Sequence, residues 1–320
     1  MRVLITGIGG FVGQHLARHL CEVAPNYEIH GTIHRSRNLE GSHIQYHTVD
    51  LRDINATQAL IHAIQPHYIY HLAAQAFVPR SFIAPWETLE NNIRSQLNIT
   101  LACLELGYQP RLLVVGSAEV YGIVKPEEVP MTESLHLKPT SPYSVSKVAQ
   151  EMLALQYYLS HHLQVMRARP FNHFGPGQNE RFVAPAFAMQ VARIEAQEQP
   201  PIISVGDLTA QRDFTDVRDI VAAYQLIIEQ GQPGDVYNVA TNEAHSISDL
   251  LNTLIQFVNL PIEVQIDENR LRPVEIPILM GDASHLRATT GWQPHFSFGQ
   301  SLADVLDDCR NRVRKERTNN

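Results

Sequence analysis

The chain has 320 residues, 44% of them hydrophobic and 18% charged, with a formal net charge of -8. Such a composition belongs to a soluble globular protein and excludes a disordered or fibrous one, while the negative balance disfavours nucleic-acid and anionic-membrane partners. Cys21, Cys103 and Cys309 lie outside metal-ligand spacings and read as reduced thiols; no histidine pair has helical spacing plus a carboxylate, so no metal site is expected. Without a signal-peptide pattern or an apolar run of bilayer length, a cytoplasmic location is expected.

In chain order, apolar strand-like runs alternate with helical patterns. A strand at Val3–Thr6, a helix from Val12, strands at Glu28–Ile33 and Gln45–Val49, a helix at Thr57–Ile64 and a strand at Tyr68–Leu72 come first. A long helix at Trp86–Leu106, a strand at Arg111–Gly116, a helix at Tyr143–Leu159 and a strand at Val165–Arg169 follow. This alternation predicts an α/β fold with a Rossmann-type, doubly wound parallel sheet.

After Arg169 the texture changes, with Pro170, Gly175, Pro176 and Gly177 close together and prolines recurring to Pro294. Helices are expected at Phe182–Ala196, Asp219–Glu229 and Ser248–Val258, between short strands at Ile202–Val205 and Val236–Val239. The expected organisation is a sheet domain over residues 1–170, completed by parts of about 213–240. A smaller C-terminal α/β lobe would comprise about 171–212 and 241–320 and close over the carboxyl ends of the strands.

Between the first strand and first helix stand Gly7, Gly10, Phe11, Val12 and Gly13. Glycines in that context permit a tight turn and close approach of backbone to a pyrophosphate, which meets the helix N-terminus; a purely structural turn is the plainer alternative. The second strand runs on to Arg35, Ser36 and Arg37, where an NAD enzyme usually carries an acid for the ribose hydroxyls. A cationic slot suits a 2'-phosphate, hence NADP(H) with NAD(H) as the alternative, although a solvated loop explains the same residues. Under this reading residues 1–170 bind the dinucleotide and the lobe binds substrate.

Tyr143 and Lys147 are four residues apart, so a helix places both on one face. An ammonium beside a phenol is expected to lower its pKa and make it a usable acid or base. Ser117, closing the preceding strand, offers a hydroxyl to the oxygen on which Tyr143 acts; strand-end serines also cap turns.

Together these residues resemble the extended short-chain dehydrogenase/reductase family over essentially the whole chain, with Asp50-Leu51-Arg52-Asp53, His71-Leu72-Ala73-Ala74-Gln75, Asn92 and Gly116-Ser117-Ala118-Glu119-Val120-Tyr121-Gly122 adding to the likeness. The resemblance implies that Asp50 and Leu51 contact adenine and that Ala73 and Ala74 line the cofactor. Arg169-Pro170-Phe171-Asn172-His173-Phe174-Gly175-Pro176-Gly177-Gln178, Arg212-Asp213-Phe214 and Arg272-Pro273-Val274-Glu275 resemble the GDP-sugar branch, which holds GDP-mannose 4,6-dehydratases and GDP-4-keto-6-deoxy-mannose reductases. In that branch Asn172 matches a substrate contact, Arg212 and Arg272 match diphosphate clamps, and Glu275 matches a ligand of the guanosine end. Dehydratases of the branch differ at Phe11-Val12 in the glycine loop and at Ala118, and carry a basic pair after the segment matching Phe182-Val183, where Val183 is read as a substrate-side residue.

Those departures point to the reductase; Glu119, which matches the acid/base of a dehydratase, points the other way. A dehydratase, another nucleotide-sugar epimerase, and a non-catalytic NADP(H)-sensing scaffold remain the alternatives. The family likeness also implies a homodimer through the helices at Trp86–Leu106 and Tyr143–Leu159, while burial within one subunit would explain the same apolar residues.

Overall fold

The computed structural model describes residues 1–34, 44–267 and 276–318. Its first half runs β1 (Arg2–Thr6), α1 (Phe11–Val23), β2 (Glu28–Ile33), β3 (Ile44–Thr48), α2 (Ile54–Ile64), β4 (Tyr68–His71), α3 (Val78–Ile83), α4 (Pro85–Leu104), β5 (Arg111–Val115), α5 (Pro142–His161) and β6 (Val165–Pro170). Then come β7 (Asn172–Phe174), α6 (Val183–Glu195), β8 (Ile202–Val205), β9 (Gln211–Asp216), α7 (Val217–Gln230), β10 (Val236–Val239), β11 (Ala244–Ser246), α8 (Ile247–Gln256), β12 (Glu263–Ile266), β13 (Ile278–Leu279), α9 (Ser284–Thr290) and α10 (Phe298–Thr318).

Seven strands pair in parallel in the order β10-β6-β5-β4-β1-β2-β3. Because successive side chains leave a strand on opposite faces, Val3 and Ile5 join one core with Leu16 and Leu20 of α1 and Ile220 and Ile227 of α7. Leu4, Leu112 and Val114 join another with Ile61 of α2, Ile99 of α4 and Ala154 of α5. Both faces are therefore covered, as apolar parallel strands require. The order reverses between β1 and β4, and at such a switch point the loops leaving the strands part to leave a crevice.

A third core gathers Phe187, Val191 and Ile194 of α6 with Leu250 and Leu254 of α8 and Leu302, Val305 and Leu306 of α10. Around it β9 pairs with β7, β11 and β13, and β8 pairs with β12. The regular elements of the first half match the sequence reading closely; α3, β7, β9, β11, β12, β13, α9 and α10 were not expected. Among the described residues no helix is long and apolar enough to cross a membrane.

Candidate active site

A cleft of about 870 Å³ opens where the strands of the large sheet end, bounded by the α6 side of the molecule. Its floor begins at the glycine turn. Gly7 has a φ of +70°, and a Cβ there would lie 2.9 Å from Ala73 Cα, so only glycine fits against the end of β4. At Gly13 a Cβ would sit 2.5 Å from the Gly7 carbonyl oxygen, which explains why α1 packs so near the turn. The Thr6 hydroxyl accepts from the N–H groups of Leu72 and Ala73 at 3.1 and 3.2 Å, tying β1 to the chain that leaves β4. Gly10 caps α1 without a side-chain hydrogen bond, so the first N–H groups of that helix are available to an anion.

The start of α5 is fixed by a reciprocal cap: Ser141 Oγ accepts from Ser144 N–H and Ser144 Oγ accepts from Ser141 N–H, each at 3.0 Å, with Pro142 in the first turn. One turn on, Lys147 donates from Nζ to the Val115 carbonyl at 2.9 Å and lies 5.9 Å from the centre of the Tyr143 ring. The Ser117 hydroxyl acts on the Tyr143 phenol across the cleft, and its Oγ accepts from the Glu119 N–H at 3.2 Å. Ser117, Tyr143 and Lys147 are all buried at the cleft.

The electrostatics correct one expectation. Burial pushes the Tyr143 phenol up to about 12; the Ser117 hydroxyl opposes that shift and the Glu119 carboxylate adds to it. Lys147 does not lower the phenol, because burial pulls its ammonium down to about 8 and its charge is gone before the phenol ionises. The group is thus a protonated phenol at neutral pH, a donor rather than a base.

Of the other cofactor-side residues, Phe11, Val12 and Ala74 line the cleft. Asp50, Leu51 and Ala73 are not part of that lining: the Asp50 carboxylate is held by Arg52, at 2.7 Å from Nη2, which draws it down to about 2, and Leu51 is buried in a core. Asn92 is fully buried and joins α4 to Gln75 and to Ser146 of α5. Arg35 lies outside the described residues, as do Ser36 and Arg37.

On the lobe side, Asn172, Val183 and Arg212 reach the same cleft. Arg212, on β9, donates from Nη1 to the carbonyls of Gln211 and Ile276 at 2.8 and 2.7 Å, which holds its guanidinium at the cleft wall. Arg272 and Glu275 lie outside the described residues. Sequence reading missed Phe77, Val78, Pro79 and Phe82 at and around α3, and Arg181, all of which line the cleft. The Phe77 ring meets Phe182 edge to face at 6.1 Å and Arg181 lies over Phe77 at 6.0 Å, so the two walls touch at the cleft mouth. The signal for α3 was Pro79 close to its start, a common placement for proline in a helix.

The geometry is that of a dinucleotide cradle with one acid placed at its inner end. The model of the GDP-mannose 4,6 dehydratase family matches residues 4–305. GDP-6-deoxy-D-mannose reductase of Pseudomonas aeruginosa is 35% identical over 315 residues, 98% of this chain and 99% of that protein. GDP-mannose 4,6 dehydratase 2 of Arabidopsis thaliana is 30% identical over 335 residues, 98% of this chain and 88% of that protein. The solved structure of RMD from Pseudomonas aeruginosa complexed with NADPH aligns with a TM-score of 0.86 at 33% identity, covering 98% of this chain and 100% of the other.

Proposed function

The chain belongs to the GDP-mannose 4,6 dehydratase family, and from that premise we propose that it reduces the C4 carbonyl of GDP-4-keto-6-deoxy-D-mannose with NADPH, giving a GDP-6-deoxyhexose such as GDP-D-rhamnose. The observation that carries this reading is the buried Tyr143 phenol, which shares the cleft with Ser117 and is pushed up to about 12. Reduction needs one proton delivered to an alkoxide, and a phenol that stays protonated is suited to deliver it.

Gly7, Gly10 and Gly13 would hold the pyrophosphate: without Cβ atoms the turn closes against Ala73 and Ile8 and brings the uncapped start of α1 to the cleft. Arg35 is assigned to the 2'-phosphate, and Lys147 to the nicotinamide ribose. Bound NADPH supplies the hydride. Ser117 holds the carbonyl oxygen, Tyr143 protonates it, and the Lys147 ammonium one turn away stabilises the phenolate left behind. Arg212 and Arg272 are assigned to the substrate diphosphate, Asn172 and Val183 to the sugar side, and Glu275 to the guanosine. In this scheme residues 1–170 with parts of about 213–240 bind NADP(H), about 171–212 and 241–320 bind substrate, and the enzyme works in the cytoplasm.

One observation favours dehydration instead: Glu119 lines the cleft and its charge acts on Tyr143. The deciding experiment gives the purified protein GDP-mannose alone, then GDP-4-keto-6-deoxy-D-mannose with NADPH. Stoichiometric NADPH oxidation only in the second mixture is expected; a 4-keto sugar formed from GDP-mannose without net NADPH consumption would make it a dehydratase, and turnover in neither would favour a scaffold. We also propose a homodimer through α4 and α5, because Val145, Met152 and Leu159 lie exposed at seven-residue intervals along α5, with Trp86 exposed at the start of α4. A monomer in sedimentation would overturn that.

A further inference from the structure

Ser117 and Tyr143 stand on different elements, so the approach of their hydroxyls depends on what fixes α5 against the turn that follows β5. A single guanidinium touches both. Arg169, buried in β6, donates from Nε to Glu151 Oε2 at 2.9 Å and from Nη2 to Glu151 Oε1, while Nη1 donates to the Tyr121 hydroxyl oxygen at 2.8 Å and to the Glu133 carbonyl at 3.0 Å. Glu151 is one helical turn beyond Lys147 and two beyond Tyr143 on α5. Tyr121 ends the single 3₁₀ turn that Ser117 begins.

Both arms are anchored. Glu151 is 1% exposed and has a second cation, Arg167, at 3.4 Å. The Tyr121 hydroxyl donates onward to Asn238 Oδ1 of β10 at 2.7 Å, and the Asn238 amide donates to the Met131 carbonyl at 2.9 Å. Just beyond Tyr121, Gly122 has a φ of +63°, and a Cβ there would collide with the Lys138 carbonyl oxygen, so the turn is held from behind.

We propose that Arg169 is a positioning residue that sets the Ser117–Tyr143 approach, with Glu151 and Tyr121 as its two arms. The proposal rests on the assignment of Ser117 and Tyr143 as the catalytic pair. It differs from a general packing role in one respect: the effect of loosening the Tyr121 arm must pass through Ser117.

The test is a double-mutant cycle of Tyr121→Phe and Ser117→Ala. Tyr121→Phe removes one oxygen and leaves Arg169 its bonds to Glu151 and Glu133, so a folded protein is expected. It should lower kcat on the order of tenfold while the NADPH Kd and substrate KM stay within about twofold. In the Ser117→Ala background Tyr121→Phe should cost almost nothing further. Effects that multiply, or a wild-type kcat in Tyr121→Phe, overturn the proposal. Wild-type protein is assayed first on the 4-keto sugar with NADPH and on GDP-mannose alone, and the cycle is run on whichever it converts; that first result judges the reductase reading, and the cycle judges Arg169.

Discussion

On the sheet side of the cleft, the groups assigned to chemistry hang from short stretches of chain: Gly7 to Gly13 in one turn, Tyr143 and Lys147 in one turn of α5. The lobe side is assembled from distant segments. Arg212 is held by the Ile276 carbonyl, and its neighbour Asp213 gathers the N–H groups of Thr241 and Asn242, at 2.8 and 2.9 Å, and of Gly281. Burial penalises charge on both sides, with opposite results: it pulls Lys147 down to about 8 and pushes Asp213 up to about 6. At Lys147 the shift puts a titration near working pH beside the acid. At Asp213 the surrounding donors oppose it and keep a carboxylate that ties β9 to the loop after β10. One wall, assigned to proton chemistry, is built by local backbone geometry; the other, assigned to a ligand, is built by long-range polar contacts.

If that division is right, damage to each wall should be read by a different measurement. The largest effect is expected from Tyr143→Phe, which deletes the proton donor: turnover should fall roughly 10²- to 10⁴-fold with NADPH affinity nearly unchanged, and near wild-type turnover would break the assignment. Next, Gly13→Ala drives a methyl into the Gly7 carbonyl. Overpacking of about 1–3 kcal/mol should cost NADPH affinity up to roughly a hundredfold, while GDP affinity measured by calorimetry stays put; equal losses for both ligands would erase the distinction.

Arg212→Ala is the mirror experiment. GDP affinity should drop roughly tenfold, the loss should shrink as salt rises, and NADPH affinity should hold. Unchanged GDP binding would remove Arg212 from the ligand wall. The smallest effect is in pH. Below about 8 Lys147 carries its charge and above it the charge is lost, whereas the phenol stays protonated throughout this range. Turnover should therefore decline by less than about tenfold as pH rises through 8, and Lys147→Arg, whose charge does not titrate in that range, should flatten the decline. A limb at the same pH in Lys147→Arg would assign it to another group.

The same contrast explains what the sequence made legible. The strand, turn and helix carrying Gly7, Gly10 and Gly13 are contiguous, and the apolar strands buried on both faces announce themselves by composition. The Tyr143 and Lys147 spacing needs nothing beyond a helix. On the other wall, β9 reads Gln-Arg-Asp-Phe-Thr-Asp, a polar run with none of the composition of a strand, yet five of its six residues are buried, and Arg212 and Asp213 are satisfied there by groups far along the chain. Strands as short as β13, with two residues, carry no periodicity at all. Helix α10 is a different case: Leu302, Val305, Leu306, Cys309 and Val313 keep helical spacing, so its period was there to be read although no element was expected over that stretch. Nor could spacing reveal that the phenol is pushed up instead of down, since that depends on how deeply Tyr143 is buried. Arg35, Arg272 and Glu275 fall outside the described residues, and their roles stay with the proposal.

The packing of α10 on α6 has a consequence for synthesis. Phe187, Val191 and Ile194 of α6 find their cover in Leu302, Val305, Leu306 and Cys309, at the far end of the chain. As the polypeptide leaves the ribosome, the strands β1 to β6 are made early and can pair with one another, although the sheet is complete only when β10 arrives. Helix α6 has to wait longer: α8 can cover part of its apolar face, and the rest stays uncovered until α10 has been made. A nascent chain stalled before Phe298 would therefore present a largely assembled sheet domain with an open lobe, the form in which this protein is most exposed to chaperones and to proteases.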